Sequence, residues 1–191
     1  MNFRPPDFTP DFVTPFPRLE TDRFALREIT EDDAGALFEI FSNPDVIEYW
    51  SHPPFEAIHQ ARALIERIRR GVANGEAIEW GIAPRGDERR LLGKCGFHRW
   101  YKGHYRAEIG YSLGRSSWGQ GIMQEALPRI LSFGFQAMRL HSVEAQVDPG
   151  NARSIRTLER LGFVKEGHFK ENFYVAGRFS DTAVFSLLAP A

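Results

Sequence analysis

The stretch that most constrains this chain is Glu108-Ile109-Gly110-Tyr111-Ser112-Leu113-Gly114-Arg115-Ser116-Ser117-Trp118-Gly119-Gln120-Gly121-Ile122-Met123-Gln124-Glu125-Ala126. A strand-like run enters a turn holding Gly119 and Gly121, and the turn opens a helix. Glycines at such a turn let backbone N–H groups approach a ligand without interference from a Cβ. Those free N–H groups and the positive end of the helix dipole suit an anion such as a pyrophosphate. Two familiar phosphate-binding patterns do not fit. Gly119-Gln120-Gly121-Ile122-Met123-Gln124 lacks the third glycine of the dinucleotide fingerprint and comes late in the chain, not in a first βαβ unit. No Gly-Lys-Ser/Thr is present for a P-loop.

The elements around this turn define the fold class. Phe24-Ala25-Leu26-Arg27-Glu28-Ile29 alternates apolar and polar, the pattern of a half-buried strand. Thr30, with Asp33 three residues on, caps a helix whose apolar face is Leu37, Phe38, Ile40 and Phe41, and Asn43-Pro44 ends it. A second helix over 55–72 places Ile58, Ala61, Leu64, Ile65 and Ile68 on one side. Strand-like runs at 77–83, 91–101 and 106–113 follow without helices between them, which predicts antiparallel hairpins. The helix after the glycine turn spans 119–137, and Pro128 should bend it or make it begin anew. A strand at 142–147, a short helix at 152–161 stopped by a left-handed Gly162, and strands at 163–174 and 179–188 complete the chain. This order predicts an α/β (α+β) domain with a mixed central sheet and helices on both faces. It occupies residues 18–191, behind an irregular arm over residues 1–17 that holds five prolines and four phenylalanines.

Composition removes several functions. The 191 residues suit one domain, and the formal charge of −1 carries none of the basic excess of a general nucleic-acid binder. Cys95 is the only cysteine, and the six histidines lack metal-ligand spacing, so neither a disulfide framework nor a structural metal is expected. No apolar run spans a bilayer and no signal-peptide pattern opens the chain, so the expected compartment is the cytoplasm, without a membrane partner.

Four blocks resemble the RimJ/RimL-like branch of the GNAT superfamily of N-acetyltransferases. They are Glu20-Thr21-Asp22-Arg23-Phe24-Ala25-Leu26-Arg27 with Glu31-Asp32-Asp33-Ala34; Ala107-Glu108-Ile109-Gly110-Tyr111 running to Trp118-Gly119-Gln120-Gly121 and Glu125-Ala126; Asn151 and Ser154 with Leu161-Gly162-Phe163; and Gly177-Arg178-Phe179-Ser180-Asp181. The likeness extends over about residues 19–188. It implies a sheet splayed open between the strands at 106–113 and 142–147, with a bulge in the first of them, where an acetyl-CoA cosubstrate inserts its pantetheine arm.

The resemblance further implies which residues meet the cosubstrate. The backbone of Tyr111, Ser112 and Leu113 would hold the acyl and pantetheine part. The amides of Trp118, Gly119, Gln120, Gly121, Ile122 and Met123 would take the pyrophosphate, and Arg115 would add charge. The superfamily places Arg or Gln three residues before the first glycine, and here that position is Ser116. Asn151 and Ser154, at the start of the short helix, would touch CoA, although Asp148-Pro149-Gly150-Asn151 is also a turn and Asn a preferred cap.

Acyl transfer to an amine needs a neutral nucleophile, a polarised carbonyl and a proton for the leaving thiolate. Glu108 is the expected base, and Glu171 the alternative, displaced from the family position that Phe173 holds. Ser154, then Tyr111, are the candidate acids. Asp181 matches a family acid, with a structural role the competing reading. Trp50, His52, Phe97, Trp100 and Tyr101 are candidates for the acceptor wall, whereas His98 and His104 read as surface histidines. The implied partners are an acyl-CoA and an amine (a protein N-terminus or a small amine), and a homodimer is a further expectation. The competing function class is a non-catalytic acyl-CoA-binding module; Glu108 with Ser154 favours the enzyme.

Overall fold

The computed structural model describes residues 15–175 and 177–190; most of the expected N-terminal arm lies outside them. The strands are β1 (Leu19–Glu20), β2 (Phe24–Arg27), β3 (Ile78–Pro84), β4 (Gly93–Tyr101), β5 (Arg106–Leu113), β6 (Ser142–Val147), β7 (Val164–Val175) and β8 (Arg178–Leu188). The helices are α1 (Ala34–Ser42), α2 (Pro44–Ile47), α3 (Ile58–Ala73), α4 (Ile122–Gln136) and α5 (Ala152–Arg160). One sheet runs β1-β2-β3-β4-β5-β6-β8-β7, antiparallel except for the β5–β6 pair.

Both faces of the sheet are covered. On one, α1 and α3 pack with Ile29 and Leu91 in a core that includes Leu37, Phe41, Leu64 and Ile65. On the other, α4 brings Ile122, Ala126, Leu127 and Ile130 against Trp80, Phe97 and Ile109. Each fully buried Leu or Ile of these helices contributes about 1.5–3 kcal/mol relative to exposure. Double coverage corrects the expectation for β2: Phe24, Ala25 and Leu26 are all buried, so its alternation does not mark a solvent face.

Asp33 is buried, accepts Thr30 N–H at 2.9 Å and receives Arg27 in a two-point contact at 2.7 and 2.8 Å. Part of the first motif block therefore fixes the entry to α1. α1 ends at Ser42 with Asn43 as its C-cap, as expected, and Asn43 also caps the short α2, its side chain accepting from Asp45 N–H. Pro128 lies inside α4, which neither stops nor begins anew there. The carbonyl that loses its bond belongs to Gln124, which is exposed like Pro128, so water can satisfy it. From the arm, Phe16 packs edge-on against Trp80 at 5.8 Å, and Trp80 Nε1 donates to the Pro17 carbonyl.

The parallel pairing of β5 with β6 is recorded only for Arg106–Ser142, Ala107–Val143 and Glu108–Glu144. Beyond Glu108 the strands part while each stays paired on its outer side, β5 with β4 and β6 with β8. The expected bulge within β5 is not found in its pairing with β4, which is regular from Glu108 to Leu113. The irregularity falls on β4 between His98 and Tyr101, where Arg99 takes φ +47.

Candidate active site

The gap between β5 and β6 opens into a cleft of about 450 Å³ lined by both strands, the segment after α2, the start of α5 and the β7–β8 hairpin. Outside that lining, after the end of β5, comes the glycine turn. Gly119 and Gly121 have φ +76 and +73, left-handed values that favour glycine, and Gly121 is the N-cap of α4. The amides of Gly119, Gln120 and Gly121 have no acceptor among the described residues. The first amides of α4, at Ile122 and Met123, lack intrahelical partners by helix geometry. The Ile122 and Met123 side chains are buried in the core, so only their backbone is open to a ligand. These features fit the pyrophosphate of a CoA.

Arg23, the residue before β2, braces the turn. Its Nη1 donates to the Gln120 carbonyl at 3.1 Å and its Nε to Glu125 at 2.6 Å, joining two motif blocks in space. Trp118 Nε1 donates to the Leu113 carbonyl, and its ring lies under the guanidinium groups of Arg115 (4.7 Å) and Arg153 (4.6 Å). Arg115 also pairs with Asp45 at 3.0 Å, so the cation expected at the phosphates is shared with a carboxylate and a ring. Ser112 is buried, its Oγ has no partner among the described residues, and its backbone carbonyl points toward Gly93 of β4, not into the gap.

Across the gap, Tyr111 Oη and Ser154 Oγ are 2.7 Å apart, and Ser154 N–H donates to Asn151 Oδ1 at 3.0 Å. Asn151 is thus the cap of α5 and orients Ser154. Burial, opposed by the Ser154 contact, pushes the Tyr111 hydroxyl up to about 12. It therefore keeps its proton at neutral pH.

Glu108 is buried at the point where the strands part. Its Oε2 receives Arg99 Nη1 at 2.9 Å, and its Oε1 lies 3.1 Å from His98 Nε2. Burial alone would raise its carboxyl, but His98 and Arg99 together hold it below the usual carboxylate range. Both oxygens are engaged, which is not the free, basic carboxylate that the sequence suggests. His98, read there as a surface residue, lines the cleft beside Glu108. The signal for it was the hairpin register: a turn centred near Gly103 pairs His98 with Glu108.

Glu171 is exposed, sits at φ +50 in an irregular stretch of β7 and is not part of the cleft wall. Asp181 does line the cleft, but it accepts Glu171 N–H at 2.8 Å and contacts His168 Nε2 at 2.6 Å, so it organises the hairpin. Those two contacts, in that order, lower its carboxyl. Trp50 and His52 line the cleft, Trp50 edge-on to Phe41 and His52 stacked on Phe55. Phe97, Trp100 and Tyr101 do not. Phe97 is wholly buried against α4 at Gly134, Trp100 is buried, and Tyr101 lies outside the cleft under the Arg106 guanidinium.

No group of three or more His, Cys, Asp or Glu side chains among the described residues is placed to hold a metal, and no described helix is long and apolar enough to cross a membrane.

A family model described as an acetyltransferase (GNAT) domain matches residues 23–164. The chain is 39% identical to the uncharacterized N-acetyltransferase YoaA of Bacillus subtilis, over 92% of this chain and 98% of that one. It is 30% identical to the [ribosomal protein uS5]-alanine N-acetyltransferase of Escherichia coli, over 91% of each. Among solved structures, Mycobacterium smegmatis RimJ in complex with CoA-disulfide superposes with a TM-score of 0.78 at 25% identity, covering 87% of this chain and 82% of that one.

Proposed function

This chain belongs to the GNAT family of acetyltransferases and is an N-acetyltransferase that moves an acetyl group to an amine; from that premise we propose that it is a RimJ-like enzyme acting on the terminal amine of a polypeptide. The observation that carries the reading is the cleft where β5 and β6 part, lined by Tyr111, Ser154, the Glu108 cluster and the hairpin, with the glycine turn following β5. Acetyl-CoA lies with its pyrophosphate on the free amides of the turn and its pantetheine in the gap between β5 and β6. The thioester carbonyl meets backbone groups of Tyr111 and Leu113, which β6 no longer pairs, whereas the Ser112 backbone faces β4. Tyr111, held by Ser154, gives the departing sulfur its proton. The amine enters from the side of Trp50, His52 and the β7–β8 hairpin and attacks the thioester directly, both substrates being bound at once.

Two things support a polypeptide acceptor. One is the likeness to the uS5-alanine N-acetyltransferase. The other is a cleft of about 450 Å³ walled by the segment after α2 and the hairpin. Incubation of the enzyme with isotopically labelled acetyl-CoA and a desalted cell extract tests this, against boiled enzyme. Label in polypeptide N-termini, located by mass spectrometry, is the expected result. Label confined to small molecules would overturn the polypeptide assignment and leave the acetyltransferase standing.

A further inference from the structure

The Glu108 cluster has the layout of an oriented imidazole. His98 and Glu108 are cross-strand partners on β4 and β5, on the face of the sheet opposite Tyr111. A carboxylate accepts and cannot donate, so His98 Nε2, 3.1 Å from Glu108 Oε1, carries its proton toward Glu108 and leaves the lone pair on Nδ1. Nδ1 has no partner among the described residues. It stands over Gly110, where any side chain would come within 3.2 Å of Nδ1 and 2.9 Å of Cε1. Arg99 holds the second oxygen of Glu108 at 2.9 Å and so keeps that carboxylate ionised as the imidazole takes up charge. His98, Gly110 and Glu108 all border the cleft.

We propose that His98 Nδ1 is the group that accepts the proton of the attacking amine, with Glu108 as its orienting carboxylate and Arg99 as the brace of that carboxylate. This deepens, and rests on, the acetyltransferase reading of the same cleft. The bound ammonium gives one proton to His98 Nδ1, and the imidazolium later returns it to water. The freed nitrogen lone pair attacks the carbonyl carbon, the C–N bond forms, and the C–S bond breaks with its electron pair on sulfur. Tyr111 protonates that sulfur, and the second proton lost from the nitrogen replaces the one Tyr111 gave. Proton acceptor and proton donor then stand on opposite faces of β5, on the two sides of the reacting carbonyl. Other charges near the ring are the buried Glu79–Lys94 pair, which shares its face of the sheet, and Arg67 and Arg70 of α3 along the adjoining groove.

The test compares wild type, His98→Ala, His98→Gln and Glu108→Gln, with a synthetic alanine-headed peptide as acceptor and thiol release as the readout. Calorimetric binding of CoA checks that each variant keeps its fold. Both His98 variants should lose about 10²-fold or more in kcat with the CoA affinity kept within about twofold. Added imidazole should restore at least tenfold to His98→Ala, whose missing ring leaves room above Gly110, and nothing to Tyr111→Phe. A His98 variant that keeps more than about a third of the wild-type kcat would overturn the proposal. So would the absence of imidazole rescue while Glu108→Gln alone abolishes turnover, because Glu108 would then be the base itself. If wild type does not acetylate the peptide, the polypeptide acceptor fails. His98 is then judged on the slow hydrolysis of acetyl-CoA, where water replaces the amine and the same loss and the same rescue are required.

Discussion

Glu108 carries opposing influences on one carboxyl, and the balance sets a measurable pH dependence. Burial favours the neutral acid, whereas His98 and Arg99 favour the anion and prevail. A carboxyl whose folded pKa lies below its unfolded value of about 4.3 stabilises the fold fully above that value. The contribution is lost as pH falls through the folded pKa. Glu108→Gln should therefore cost about 1.5 kcal/mol at neutral pH, the amount typical of hydrogen bonds to a charged group. The deficit should narrow steadily below about pH 4. Urea unfolding of both proteins at stepped pH measures it, and a deficit unchanged at about pH 3 would mean the ion contacts add nothing. The same residue shows the limit of reading chemistry from residue type: an acid beside the acyl site was legible, but its commitment to two cations was not.

At the scale of elements, the glycine turn is the unit most nearly complete in the chain itself. Gly119 and Gly121 adopt the left-handed backbone that favours glycine, and α4 starts at Ile122, later than the expected 119 because the turn occupies the residues before it. A side chain at Gly121 would meet strain of about 1–2 kcal/mol in that conformation. It would also stand within 3.6 Å of Arg23 Nη2. Gly121→Ala should lower the melting temperature by roughly 2–8 °C and raise KM for acetyl-CoA about tenfold or more. Thermal unfolding and steady-state kinetics read the two effects, and an unchanged KM would remove the turn from the binding of acetyl-CoA. Arg23, which belongs to a different motif block, was not legible as part of the turn, because β2 meets α4 only after the sheet has folded.

For the whole molecule, the decisive feature is a sheet that is continuous at Glu108 and divided beyond it. The amides of β5 past Glu108 and of β6 past Glu144 that face the gap have no strand partner across it among the described residues, so fast exchange is expected of them. Binding of CoA should slow their hydrogen exchange by at least tenfold, with little change on the strand sides bonded to β4 and β8. Mass-spectrometric exchange on peptides from both strands resolves this. Protection confined to the glycine turn would show that the pantetheine arm does not enter the gap.

Strand and helix order, the antiparallel hairpins, the left-handed glycines and the cap at Asn151 were set by local sequence, because each depends on residues within a few positions of one another. The resemblance of the motif blocks added the splayed sheet, and the fold bears it out. Burial of β2 on both faces, the placing of Phe97 and Trp100 in the core and of His98 in the cleft, and the engagement of Arg115 were decided only in tertiary structure. Each of those depends on which face of a strand is covered, and by what. A side-chain period of two tells a strand's faces apart but cannot say which packs on a helix and which opens on a cleft. That choice is made when β5 and β6 part, and the chemistry of Glu108, His98 and Tyr111 follows from it.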